Sequence, residues 1–163
     1  VFTFSFFNNK VRKSFNGRLN SISKIQEYFK FERKKERYWF HVSSLGEYYQ
    51  TKSIIDRTKL EKPNSILVLS FSSPSGMNYA LSDAVDLKFY LPFDFPWTIQ
   101  KVLTLVKPKK VIFSTYDIWP NLLWFCKTKN IHLNIMSAKI EDRSIKFRPF
   151  FMSFYQNLYR LIR

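Results

Sequence analysis

The chain has 163 residues, enough for one α/β domain with a buried core and too few for two enzyme domains of ordinary size. Lys and Arg outnumber Asp and Glu by 27 to 12, and the resulting charge of +15 suits an anionic partner such as phosphate, nucleic acid or an acidic membrane leaflet. Drift toward AT-rich codons, with Ala and Gly scarce and Lys, Phe, Asn, Ile and Tyr abundant, accounts for the charge equally well. The lone Cys126 excludes a disulfide framework and a thiolate metal cluster and fits a reducing compartment.

No apolar stretch approaches the roughly 20 residues that cross a bilayer. The opening run, Val1-Phe2-Thr3-Phe4-Ser5-Phe6-Phe7, is too short to span and lacks the charged leader and cleavage site of a signal peptide. It reads either as the trailing end of a longer anchor or as an interfacial aromatic patch. Residues 8–36 form a basic, aromatic segment in which Ile22, Ile25, Tyr28 and Phe29 line one face of a short helix with Ser21 at its cap.

From Arg37 onward, short apolar runs alternate with longer amphipathic segments. Strands are expected at 38–42, 65–71, 88–91, 110–114 and 131–136, and helices at about 47–60, 76–84, 95–106 and 118–128. This alternation predicts a Rossmann-like α/β unit over 37–163, a parallel sheet with helices on both faces. Ile66-Leu67-Val68-Leu69 is apolar throughout, as a central parallel strand requires. Near the end, Phe150, Phe151, Phe154, Tyr155, Leu158, Tyr159 and Ile162 form the stripe of an amphipathic helix, either docked on the sheet or lying on a membrane surface.

The first strand breaks at Ser43-Ser44-Leu45-Gly46 and delivers Glu47 at a helix start, the rim where α/β sheets bind ligands. Ser44 and Glu47 have the spacing of a capping box, a common motif. A negative charge in a helix's first turn is also favoured by the macrodipole, and such a carboxylate can accept a proton from a substrate hydroxyl within hydrogen-bond reach. Both roles fit. After the second strand, Ser72-Ser73-Pro74-Ser75-Gly76 offers hydroxyls and backbone N–H groups that suit a plain turn or a cradle for an anion or sugar. Asp94 before Phe95-Pro96 and Asp117 before Ile118-Trp119-Pro120 have the look of N-caps with proline in the first turn.

His41 and His132 sit in apolar strands with no His or Cys at ligand spacing, so both are expected to be buried and no metal is expected. Cys126 is expected in the core. The Gly-x-Gly-x-x-Gly and Gly-Lys-Ser/Thr patterns are both absent, which argues against ATP or NAD binding in those modes, and no cofactor is implied.

In order, these pieces resemble the N-terminal domain of the 3-deoxy-D-manno-octulosonic acid (Kdo) transferases. His41-Val42-Ser43-Ser44-Leu45-Gly46-Glu47 matches a family pattern His-x-x-Ser-x-Gly-Glu, and Ser73-Pro74-Ser75-Gly76 matches Thr-Pro-Thr-Gly. Tyr90-Leu91-Pro92-Phe93-Asp94-Phe95-Pro96 and Trp119-Pro120-Asn121-Leu122 follow, then Ala138, Arg143 and Ser144 against Asn-Ala-Arg-x-x-x-Arg-Ser. The resemblance runs from about Gly17 to the C-terminus.

It implies one half of a GT-B enzyme of lipopolysaccharide synthesis. The N-terminal domain receives a lipid A precursor, and a C-terminal domain, which this sequence does not contain, holds CMP-Kdo. It further implies peripheral attachment to an anionic leaflet on the cytoplasmic face of the inner membrane, directly or through a further N-terminal anchor. Glu47 corresponds to the general base, and Gly46 to a residue that lets the acceptor approach. Ser44, Ser75, Gly76, Asp117, Lys139 and Arg143 are candidates for polar or phosphate contacts. The family's Glu-Thr-Glu-x-Trp-Pro-Asn places a glutamate that assists the transition state where this chain has Thr115, with Asp117 at the second glutamate. A non-catalytic relative that holds anionic lipid or a partner protein is the alternative. Nucleic-acid binding lacks any zinc, helix-turn-helix or RNA-recognition signature.

Overall fold

Five all-parallel strands carry the chain's apolar runs: β1 (Arg37–Val42), β2 (Ile66–Phe71), β3 (Leu87–Tyr90), β4 (Lys110–Phe113) and β5 (His132–Ile135). They form one sheet in the order β3-β2-β1-β4-β5. β1 and β2 are buried at every residue, which explains why they are mostly apolar, with Arg37, His41 and Ser70 as their buried polar exceptions. A computed structural model describes residues 9–31, 35–115, 119–137, 156–158 and 160.

Five helices complete the layers among the described residues: α1 (Asn9–Tyr28), α2 (Leu45–Glu61), α3 (Pro74–Tyr79), α4 (Pro96–Val106) and α5 (Pro120–Thr128). On one face, Trp39, Val68, Phe89, Val111 and Phe113 pack against Ile25 of α1 and Phe29 just beyond it, Ile99 and Val102 of α4, and Leu122 and Cys126 of α5. On the other, Phe40, Leu67, Leu69 and Ile112 pack against Tyr48 and Ile55 of α2. Each such side chain contributes about 1.5–3 kcal/mol by leaving water, so the doubly covered sheet is a rigid platform for its loops.

The N-terminal helix is longer than its sequence suggests and shares this core. Ser21 is not its cap. It lies mid-helix, 2% exposed, with Oγ 2.7 Å from Gly17 O and 2.6 Å from Tyr90 O. A serine inside a helix satisfies its hydroxyl by bonding back one turn, and here it reaches the last carbonyl of β3 as well. Gly17 allows the approach, since a Cβ there would stand 2.2 Å from Tyr90 Cδ2.

α3 is also shorter than the expected 76–84. It begins at Pro74 behind the N-cap Ser73 and leaves helical geometry at Ala80. Of the C-terminal stripe, most lies outside the described residues; residues 156–158 are helical, and Leu158 is buried against the same core as α1.

Candidate functional site

The strand order reverses between β1 and β4. The chain runs outward through β2 and β3, then crosses back to lay β4 on the other side of β1. The loops leaving β1 and β4 therefore diverge and open a crevice at the carboxyl edge of the sheet, where ligands bind in open α/β sheets. Glu47 stands in the loop–helix junction after β1. Thr115 stands just after β4, and the pairing of His41 with Phe113 puts Ser43 and Thr115 at matching heights.

Ser44 is the N-cap of α2, and its hydroxyl accepts from Glu47 N–H at 3.3 Å. The Glu47 carboxylate folds back so that Oε2 accepts from Ser43 N–H at 2.8 Å. A standard capping box returns this bond to the cap residue itself; here it goes one residue earlier and ties the carboxylate to the end of β1. Among the described residues no donor reaches Oε1, and the side chain is half-buried. Capping and proton acceptance are therefore compatible: one oxygen is tethered by Ser43 N–H, and no described donor engages the other.

Gly46 is exposed, and among the described residues a Cβ there would meet only Ser44 Oγ, at 3.9 Å. Neither packing nor a positive φ requires glycine at this position.

Two buried hydroxyls fix this turn to β4. Thr51 Oγ1 donates to Glu47 O at 2.8 Å and lies 2.8 Å from Ser114 Oγ, which is 3.4 Å from Glu47 O. Both residues are almost fully buried, so Glu47's backbone and the strand end that carries Thr115 move together. Asp117, Lys139 and Arg143 lie outside the described residues.

After β2, Ser73 caps α3 by accepting from Gly76 N–H at 3.4 Å, and its hydroxyl lies 3.1 Å from that of the exposed Ser75. Gly76 is buried, and a Cβ on it would stand 2.3 Å from Phe71 Cδ1, so packing against β2 accounts for the missing side chain. Behind this loop, Ser70 Oγ accepts from Trp39 Nε1 at 2.8 Å and lies 2.9 Å from His41 Nδ1. His41 Nε2 lies 3.4 Å from Ser72 Oγ, so the ring sits between two hydroxyls. His41 is buried as expected; His132 is not, because it opens the edge strand β5 with its side chain in solvent.

Asp94 does not cap its own helix. The N-cap of α4 is Phe95, which makes no side-chain cap bond. Asp94 instead reaches α5, where Oδ2 accepts from Asn121 N–H at 2.9 Å and Oδ1 from Leu122 N–H at 3.1 Å, while Asn121 Nδ2 donates to Asp94 O at 2.5 Å. Burial pushes its carboxyl above the ordinary range, against the pull of these donors. Asp94→Ala is expected to lower stability by about 1–3 kcal/mol, because it strands the N–H groups of Asn121 and Leu122 at the start of α5. Urea unfolding checks this.

Sequence reading missed Arg18. Its Nη1 donates to Leu91 O at 2.8 Å and Nη2 to Ser72 O at 3.1 Å, with the guanidinium 5.5 Å from the Phe93 ring centroid and 5.4 Å from that of Trp119. The i, i+3, i+4, i+7 spacing of Val11, Ser14, Phe15 and Arg18 was the available signal. Through Arg18 and Asp94, the loops after β2 and β3 and the start of α5 are joined along one edge.

Among the described residues no three His, Cys, Asp or Glu side chains gather as a metal site. Burial pushes the Cys126 thiol up to about 12, which makes it a core group without thiolate chemistry. Among them, too, no helix is long and apolar enough to cross a membrane.

Comparison with known proteins follows the same edge. The family model of 3-deoxy-D-manno-octulosonic-acid transferase (kdotransferase) matches residues 14–163. A 3-deoxy-D-manno-octulosonic acid transferase of Aquifex aeolicus is 32% identical over 98 residues, 59% of this chain and 27% of that protein. One from Haemophilus influenzae is 27% identical over 109 residues, 65% of this chain and 25% of that protein. A bifunctional glycosyltransferase/methyltransferase of Fusobacterium nucleatum is 26% identical over 143 residues, 85% of this chain and 21% of that protein. The chain thus spans about a quarter of the length of these curated relatives. With a Rossmann-like sheet whose switch point carries the Ser-x-Gly-Glu turn, and with a family match over nearly its whole length, this chain belongs to the Kdo transferase family as its N-terminal domain.

Proposed function

We propose that the chain is the acceptor-side domain of an enzyme that moves Kdo from CMP-Kdo to a lipid A precursor in lipopolysaccharide core synthesis. A second Rossmann-like domain of GT-B type, outside this sequence, holds the donor, and the pair sits peripherally on the cytoplasmic face of the inner membrane. The observation that carries this reading is the Glu47 carboxylate, held by Ser43 N–H at 2.8 Å and half-exposed at the switch point.

The chemistry assigned to it is general-base catalysis. With Oε2 fixed, Oε1 takes the proton of an acceptor hydroxyl as that oxygen bonds to the anomeric carbon of Kdo. The bond from this carbon to CMP breaks, and CMP leaves with the electron pair. Gly46 leaves room for the acceptor. Ser44, Ser75, Gly76, Asp117, Lys139 and Arg143 are assigned to the acceptor's polar and phosphate groups, of which Ser44 and Gly76 also serve their helix caps.

Thr115 favours a second reading, a non-catalytic module that holds an anionic lipid, because a neutral hydroxyl stands where the family carries a carboxylate. Incubating the chain, supplied with a CMP-Kdo-binding domain, with labelled CMP-Kdo and a tetraacyl lipid A precursor separates the two. Label in the lipid is the expected result; acceptor binding with no transfer would leave only the second reading.

A further inference from the structure

An open groove of about 420 Å³ runs between α1 and the loops that follow β2 and β3. Its apolar walls are Val11, Phe15, Pro74 and Phe93, and the polar residues along it are already engaged. Ser14 Oγ and Arg18 Nη2 both donate to Ser72 O, at 3.3 Å and 3.1 Å, and Ser73 Oγ caps α3. An occupant with buried amides or hydroxyls would leave them unpaired there, which is costly, whereas a hydrocarbon needs no partner.

Charge supplies the rest of the ligand. Residues 1–26 hold five Lys or Arg and no Asp or Glu, and Arg12, next to Val11 on α1, is exposed. The groove's polar end is formed by Ser72 and Ser73, and the pairing of Phe71 with Val42 puts these beside Ser43 and the Glu47 turn.

We infer that this groove is a subsite for one acyl chain of an anionic amphiphile, with the charged head beside Arg12 and the remainder of the molecule directed along the sheet edge toward Glu47. The inference rests on the proposed function only for naming the ligand as the acceptor; the groove and its chemistry stand without it.

The test uses the chain with Trp97→Phe and Trp124→Phe, both exposed positions, so that Trp119, which packs on Arg18, reports together with the buried Trp39. Dodecyl phosphate brominated along its chain should quench the fluorescence saturably, one molecule per chain, below its micellar concentration. Each methylene buried is worth about fourfold in affinity, so octyl phosphate should bind on the order of a hundredfold more weakly. Val11→Asp, at a position 45% exposed in the folded chain, should weaken binding at least tenfold with an unchanged circular dichroism spectrum.

Equal affinity of the octyl and dodecyl compounds, undiminished binding by Val11→Asp, or quenching only by phosphatidylglycerol vesicles carrying brominated chains would overturn the subsite, the last pointing to general membrane docking. The two proposals fail separately. Saturable binding without Kdo transfer leaves the groove and removes the transferase reading, whereas transfer without binding does the reverse.

Discussion

Glu47→Gln, in the chain supplied with a donor-binding domain, is expected to slow Kdo transfer by about 100- to 10,000-fold, the usual contribution of a positioned general base. Glutamine keeps an oxygen that can accept from Ser43 N–H, as Oε2 does at 2.8 Å, so the cap and the first turn of α2 should persist. The amide cannot take a proton from an acceptor hydroxyl. The loss should therefore fall on turnover with little change in acceptor affinity, the pattern of an interaction made only in the transition state. Parallel measurements of steady-state transfer and thermal unfolding check it. A variant that unfolds early but turns over normally would make Glu47 a cap and nothing more.

Thr115→Glu is expected to raise turnover by on the order of a hundredfold, the size of one well-placed electrostatic contact to a transition state. Thr115 follows β4 directly across the switch point from Glu47, and Ser114 beside it is bolted to the first turn of α2 through Thr51. A carboxylate introduced there stands on a rigid mount, which such a contact requires. Thr115→Gln is the control. It adds the same length without charge and should leave the rate near that of the parent, so equal gains from both substitutions would assign the effect to packing.

The central strands were legible because burial on both faces leaves mostly apolar runs, as in Ile66–Phe71, where all six residues are buried and only Ser70 is polar. The switch-point turn was legible for a local reason: cap, glycine and carboxylate lie within four consecutive residues, and the bonds that define their geometry connect neighbours. What sequence reading could not supply came from distant partners. Asp94 satisfies N–H groups of Asn121 and Leu122, 27 and 28 positions away, and nothing near Asp94 distinguishes that from capping its own helix. Ser21 looks like a helix start until β3 offers it a carbonyl 69 positions away. His132 reads as core because its strand is apolar, yet β5 is an edge, and its first residue faces water.

Glycine separates the two kinds of information. Gly17 and Gly76 are required by the Tyr90 and Phe71 rings, contacts that no spacing rule reveals. Gly46 meets, among the described residues, only its own cap serine, so packing does not account for its missing side chain. Both situations look alike in the sequence.

The most direct measurement is the position of the acceptor itself: a crystal structure of the chain, joined to a donor-binding domain, with a lipid A precursor bound. The account predicts the reactive sugar hydroxyl at the switch point, about 2.6–3.2 Å from Glu47 Oε1, with the glycosyl unit lying over Gly46. An acceptor bound at the opposite edge of the sheet, or one whose hydroxyl is separated from Glu47 by intervening protein, would contradict it.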